Sequence, residues 1–238
     1  MEQEIFAILK LSYNKQGDTA FVGGICGTGF RLNDNTVITA NHILNQENFK
    51  PNEGYNKCKY WLITQEGKSQ SILKEDLISF PDIDTTFIMK RNKESNATNI
   101  KIPNIKETGE IEASGHIAGL MPTMEVKWIG EELEISNVNL INCKAEGTGI
   151  YKYFRNKNIT AADLKIQNSD ILELSFGGVE GMSGGPVFEN QRQNIIGMMS
   201  GGFPPGLKIK TILFAVPLNE IIKRFNKIKA EKPSQISH

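Results

Sequence analysis

The sequence predicts an all-β protein, a sandwich or a pair of barrels, with one helix at its C-terminal end. Three observations predict it. Short runs rich in Ile, Val, Phe, Tyr, Trp and Thr recur along the chain, bounded by turn-forming clusters such as Asn14-Lys15-Gln16-Gly17-Asp18 and Asn33-Asp34-Asn35. No helical pattern alternates with those runs, which sets aside an architecture of parallel strands and crossover helices. Only near the end does the period change: Leu218, Ile221, Ile222, Phe225 and Ile228 recur at helical spacing.

Taken in order, the first strands are expected at Ile5–Tyr13, Ala20–Leu32, Thr36–Thr39, Lys59–Thr64, Gln70–Leu77 and Thr85–Met89. Arg91–Asn99 is polar, lacks large apolar residues and reads as a linker. Strands then resume at Glu110–Leu120, Glu125–Ile129, Leu133–Ile141, Ile171–Phe176, Pro186–Phe188, Ile195–Ser200 and Ile212–Val216. Between them, Gly147–Gln167 carries Tyr151, Lys152, Tyr153, Phe154, Arg155 and Lys157, and reads as an exposed loop with a substrate-binding or regulatory alternative. In the closing helix Asn219 is the expected cap. Lys223, Arg224, Lys227 and Lys229 form a solvated basic face, and the tail from Glu231 is expected to fray.

Composition narrows the function. The chain has 238 residues, 39% of them hydrophobic, which is ample for a core. Its 27 Lys+Arg balance 27 Asp+Glu, so nothing recommends a nucleic-acid partner, whose affinity would come from cationic neutralisation of phosphates. No apolar run reaches the length of a membrane span, and a signal peptide is not expected from the acidic Met1-Glu2-Gln3-Glu4. Three cysteines are a sparse, odd set: Cys26, Cys58 and Cys143 are expected as free, mostly buried thiols of a cytoplasmic protein.

The chemistry concentrates in Gly181-Met182-Ser183-Gly184-Gly185-Pro186. A serine among glycines sits on backbone free to present its hydroxyl and to aim neighbouring N–H groups at one point. Serine needs a base, and there are three histidines. His42 ends the apolar run Val37-Ile38-Thr39-Ala40. His116 lies inside an apolar strand and reads as structural, and His238 is the last residue. An orienting carboxylate is offered by Asp82 or Asp84. Asp84 directly precedes a strand and can point back at His42, whereas Asp82 is more naturally a turn residue. Metal-ligand spacings and a nucleotide loop are missing, so neither a metal nor another cofactor is expected.

Thr39-Ala40-Asn41-His42, Asp84-Thr85-Thr86-Phe87-Ile88 and the Ser183 string resemble, in that order, the His, Asp and Ser blocks of chymotrypsin-like serine proteases. Gly27-Thr28-Gly29-Phe30 and Phe214-Ala215-Val216-Pro217-Leu218 are similar to the bacterial high-temperature-requirement-type branch. The resemblance implies two β-barrels of the chymotrypsin-like type with a C-terminal helix: residues 1–100 would carry His42 and Asp84, and residues 101–238 Ser183. It implies Ser183 as nucleophile, His42 as base, Asp84 as its orienter, and the N–H groups of Gly181 and Ser183 as the oxyanion hole. Ser200, Gly201 and Gly202 match the strand that pairs with substrate, Gly177 the pocket floor, and Glu180 flanks the oxyanion loop.

Departures from the secreted enzymes are informative. Met182 replaces the aspartate that receives a newly cut N-terminus, so activation by such cleavage is not expected. Ile43 replaces a cysteine after the histidine, and Gly177 provides no carboxylate for a basic side chain, favouring small or apolar ones. No room is expected after the last strands for a peptide-binding domain. The implied protein is a cytoplasmic endopeptidase acting on a dedicated protein or peptide substrate, with stress or antiviral defence as its setting and an activating partner protein as one means of restraint. The alternative is a catalytically silent protease-fold module that binds a peptide or partner.

Overall fold

The computed structural model describes residues 3–14, 21–89, 103–161, 164–189, 191–203 and 212–231. Its first seven strands are β1 (Ile5–Tyr13), β2 (Phe21–Asn33), β3 (Thr36–Ala40), β4 (Lys57–Ile63), β5 (Ser69–Ile72), β6 (Leu77–Phe80) and β7 (Thr85–Met89). They form one antiparallel sheet in the order β5-β4-β1-β2-β3-β7-β6. The expected strand over Gln70–Leu77 is two strands, because the polar triplet Lys74-Glu75-Asp76 makes a 3₁₀ turn between them.

The second half begins with β8 (Thr108–His116), a two-stranded hairpin β9 (Thr123–Ile129) and β10 (Glu132–Asn139), and β11 (Lys144–Ala161). It continues through β12 (Leu164–Leu174), β13 (Pro186–Glu189), β14 (Asn194–Phe203) and β15 (Ile212–Pro217) to the helix α1 (Leu218–Glu231). Six of these strands close into a barrel in the order β11-β12-β15-β14-β13-β8. The fold is the expected all-β, chymotrypsin-like pair with a C-terminal helix.

β1 is apolar almost throughout because both of its faces are covered. Phe6 and Ile8 join the main core with Phe30, Ile38, Phe87 and the helix residues Ile221 and Phe225. Ala7, Leu9, Leu11 and Tyr13 point the other way, against Leu133, Ile135, Val138 and Leu140 of the hairpin region. A period of two therefore sorts one continuous run into two cores. The hairpin also pairs charges with β4: Lys57 Nζ lies 3.0 Å from Glu132 and Lys59 Nζ 2.6 Å from Glu134.

Gly147–Gln167 is not a loop. It is most of β11 and the start of β12, which pair as a long antiparallel ribbon. Tyr151, Ile159 and Ile166 are buried while Lys152, Arg155 and Lys157 fall outside or at the edge, so the basic residues mark the wet face of a strand. Register shifts near Asn156, whose φ is +51°, bend the ribbon.

α1 buries Leu218, Ile221, Ile222, Phe225 and Ile228 as its spacing predicts. Asn219 stands in the first turn, its side-chain oxygen accepting from the Glu220 N–H at 2.8 Å, rather than before the helix. The basic face is not wholly solvated either, because Arg224 forms an ion pair with Asp82. The expected linker over Arg91–Asn99 and the tail beyond Glu231 lie outside the described residues. Among the described residues no helix is long and apolar enough to cross a membrane.

The barrel meets the first sheet at the end of β8. His116 is buried, its N–H donates to Thr28 Oγ1 on β2 at 2.9 Å, and its Nδ1 lies 3.3 Å from the same oxygen. Burial, and secondarily Lys144 across the strand pair, push its pKa down to about 4.

Two predictions follow from this packing. Leu133→Ala should cost about 2–5 kcal/mol in urea unfolding through lost burial and a cavity, whereas Glu134→Gln, which keeps the side chain's shape in a half-buried pair that still reaches solvent, should cost about 1 kcal/mol or less. Equal costs would show that charge rather than packing seats the hairpin. Because the folded pKa of His116 is depressed, the unfolded chain binds its proton first as pH falls. Its contribution should be intact at pH 7 and fall by roughly 2–2.5 kcal/mol by pH 4.5. His116→Gln should flatten that part of the pH dependence measured by denaturant unfolding.

Candidate active site

β3 is buried along its whole length, and the chain turns immediately after it. Ile43 N–H returns to Ala40 O at 3.2 Å and Leu44 N–H to Asn41 O at 3.2 Å, while the buried Ile43 and Leu44 side chains anchor the turn. That geometry leaves the His42 ring at the surface of the core, with 28% of its side chain accessible.

Asp84 arrives beside it through strand register. Thr85 of β7 pairs with Ala40 of β3, and the Asn41 N–H donates to Asp84 O at 3.0 Å. A 3₁₀ turn over Pro81–Ile83, pinned by fully buried Ile83, ends at Asp84 in the left-handed region with φ +46°. Aspartate is among the few side chains that tolerate this conformation, and here it turns the carboxylate inward. The carboxylate is only 3% accessible as a residue, and three donors satisfy it. His42 N–H reaches Oδ1 at 2.9 Å, His42 Nδ1 lies 2.9 Å from Oδ2, and the Ser200 hydroxyl donates to Oδ2. A carboxylate only accepts, so the proton belongs on His42 Nδ1 and Nε2 is the basic ring nitrogen.

Ser200 is the residue whose part was missed. The sequence placed it on a strand alongside substrate; its side chain is fully buried and holds Asp84 from the far barrel. The available signal was a lone hydroxyl closing the apolar run Ile195-Ile196-Gly197-Met198-Met199. Gly201 and Gly202 follow it, paired with Phe214 and Leu213 of β15. β13 pairs with β14 as far as Met198, and Met199 still bonds to the serine loop, accepting from Gly184 N–H at 2.7 Å and donating to Gly185 O at 2.8 Å; among the described residues no strand pairs with that edge of β14 beyond Met199. Asp82, the rejected candidate, faces Arg224 instead.

Ser183 lies between β12 and β13 in a loop whose shape depends on two glycines. Gly181 has φ +97°, and a Cβ there would overlap the backbone of His116 and Ala118. Gly184 has φ +83°, and its Cβ would overlap Thr28 O and Thr39 Oγ1. The loop is thus pressed onto the strands that lead to His42. Thr28 N–H donates to Ser183 O at 2.9 Å, and Thr28 Oγ1 to Gly181 O at 2.8 Å.

Two peptide units in the loop have tethered carbonyls. Glu180 O accepts from Ala118 N–H at 2.8 Å, and Met182 O from Gly185 N–H at 2.9 Å. In a trans peptide the N–H points opposite to the C=O, so the N–H groups of Gly181 and Ser183 are turned away from those tethers. Among the described residues neither has a backbone or side-chain acceptor. Two donors left open beside a serine are what a developing oxyanion requires.

Gly177 and Glu180 are exposed, and a Cβ on Gly177 would meet nothing within 4 Å. Met182 is buried in the barrel core. Cys26, Cys58 and Cys143 carry free thiols; Cys143 is buried and the other two are partly so, with burial pushing the Cys26 thiol up to about 12. Among the described residues no three His, Cys, Asp or Glu side chains group as metal ligands.

Comparison with known proteins bears on the fold and the family. HtrA-type protease AlgW, solved with a decapeptide, superimposes with a TM-score of 0.57 at 13% identity, over 95% of this chain and 63% of AlgW. The chain thus spans less than two thirds of AlgW's length. The active form of the Rv3671c protease from M. tuberculosis gives a TM-score of 0.50 at 14% identity, over 93% of this chain and 80% of that one. At these identities the likeness is one of fold. A search of curated protein sequences gives no match. The trypsin family model, however, matches residues 8–224, nearly the whole described chain. The chain belongs to the trypsin family.

Proposed function

We propose that this protein is a serine endopeptidase that cleaves peptide bonds through an acyl-enzyme. The observation that carries the reading is the buried Asp84 carboxylate holding the His42 ring by Nδ1, which makes Nε2 the base. Ser183 Oγ attacks the scissile carbonyl carbon and gives its proton to His42 Nε2. The carbonyl oxygen becomes an oxyanion and accepts from the Gly181 and Ser183 N–H groups, each worth about 2.7–4 kcal/mol in such a site. His42 then protonates the leaving amine, and the C–N bond breaks. Water, deprotonated by the same nitrogen, attacks the ester and releases Ser183.

Substrate backbone lies along β14 at Ser200, Gly201 and Gly202, whose outer edge is open. Gly177 adds no charge to the adjoining pocket, which supports a small or apolar side chain there, while exposed Glu180 stands where it selects against acidic neighbours. Three free thiols support a reducing, cytoplasmic setting. Buried, apolar Met182 provides no carboxylate for a new N-terminus, so restraint falls on a narrow, dedicated protein substrate or on an activating partner.

An alkyl fluorophosphonate tests the reading without a known substrate. It should label Ser183 in the wild type and not in Ser183→Ala, which should also lower kcat by about 10⁶ on any substrate found. Asp84→Asn should fold and lose about 10⁴ in kcat, because an amide donates to Nδ1 and inverts the tautomer. Wild-type protein that resists labelling would leave a peptide-binding module in place of an enzyme.

A further inference from the structure

Thr28 is fully buried and uses every polar atom it has. Its N–H donates to Ser183 O at 2.9 Å, and its carbonyl accepts from Thr39 Oγ1, three residues before His42. Its hydroxyl donates to Gly181 O at 2.8 Å and receives the His116 N–H at 2.9 Å, with His116 Nδ1 at 3.3 Å. A hydroxyl has one proton and two lone pairs. The proton goes to Gly181 O, so the two lone pairs face the backbone N–H and the Nδ1 of His116, and the neutral ring carries its proton on Nδ1. The hydroxyl then has no rotational alternative, and its only donor direction is the Gly181 carbonyl.

We propose that Thr28 is the positioning residue of the oxyanion hole, setting the Gly181–Ser183 backbone from the first sheet while His116 fixes the direction of its hydroxyl. This rests on the peptidase reading above. Gly181 O belongs to the peptide between the two donor residues, so holding it limits rotation of both neighbouring units. The Ala118 N–H bond to Glu180 O fixes the unit before it, and the Gly185 N–H bond to Met182 O the unit after it. Of these tethers, only Thr28 belongs to the sheet that carries His42 and Asp84. It therefore sets the height of the hole relative to the base as well as its shape.

The test compares Thr28→Val, which keeps the shape and backbone and removes the hydroxyl, with Thr28→Ser, which restores the hydroxyl. Phosphonylation of Ser183 by an alkyl fluorophosphonate should slow by about tenfold or more in Thr28→Val, the loss falling on the maximal rate and not on the half-saturating concentration. Thr28→Ser should stay within about threefold of wild type. In ¹⁵N spectra the Gly181 and Ser183 amide resonances should shift in Thr28→Val and not in Thr28→Ser. Thr28→Ala serves as the hydroxyl-free variant if Thr28→Val does not fold. Wild-type labelling rates in a folded hydroxyl-free variant, or unmoved Gly181 and Ser183 amides, would overturn the proposal. A wild type that is never labelled would instead overturn the peptidase reading, and the amide shifts would still decide the part played by Thr28.

Discussion

The Asp84 carboxylate is the group around which the site is arranged. Taking a carboxylate out of water costs several kcal/mol unless its lone pairs are satisfied, so the fold must deliver donors to it. Two come from His42, by N–H and Nδ1, and one comes from Ser200 on the opposite barrel. Each donor fixes something else. The first locks the turn after β3, the second sets the imidazole tautomer, and the third ties β14 to the first sheet. The left-handed backbone at Asp84 and the buried Ile83 before it serve the same placement.

A second constraint acts on the serine loop. Its glycines do more than permit unusual dihedrals: at Gly181 and Gly184 any side chain would displace strand backbone, so the loop sits at contact distance from β2, β3 and the end of β8. Tight packing of backbone on backbone leaves few alternative arrangements for the Gly181 and Ser183 N–H groups.

Much of this was legible in the sequence, for identifiable reasons. Ile5–Tyr13 and Thr85–Met89 are strands over the expected bounds because β-branched and aromatic residues there are buried in cores. His42 and Asp84 were readable because each ends or begins an apolar strand, and adjacent antiparallel strands bring such termini together. The β11–β12 ribbon was not readable as strand, because its outward face is so polar that alternation with Tyr151, Ile159 and Ile166 is hard to see. The side-chain contacts of Ser200, Thr28 and His116 were hidden for another reason. Each is made across the two halves of the chain, over separations of 88 to 116 residues between Thr28 and His116 and between Ser200 and Asp84, and no local pattern encodes such a pair.

α1 closes the second half of the chain, packs on β14 and β15, and also reaches the first half. Phe225 lies 5.5 Å from Phe87, and Arg224 pairs with Asp82, two residues from Asp84. On a ribosome, β3 and β7 emerge long before this helix exists. The segment that holds the carboxylate consequently lacks its outer support during most of synthesis, and contacts of such long sequence separation form slowly. The Asp84 carboxylate receives its third donor only once Ser200 has been made, and α1 then closes over the same segment, so the surroundings of the His42–Asp84 pair are completed only late in synthesis.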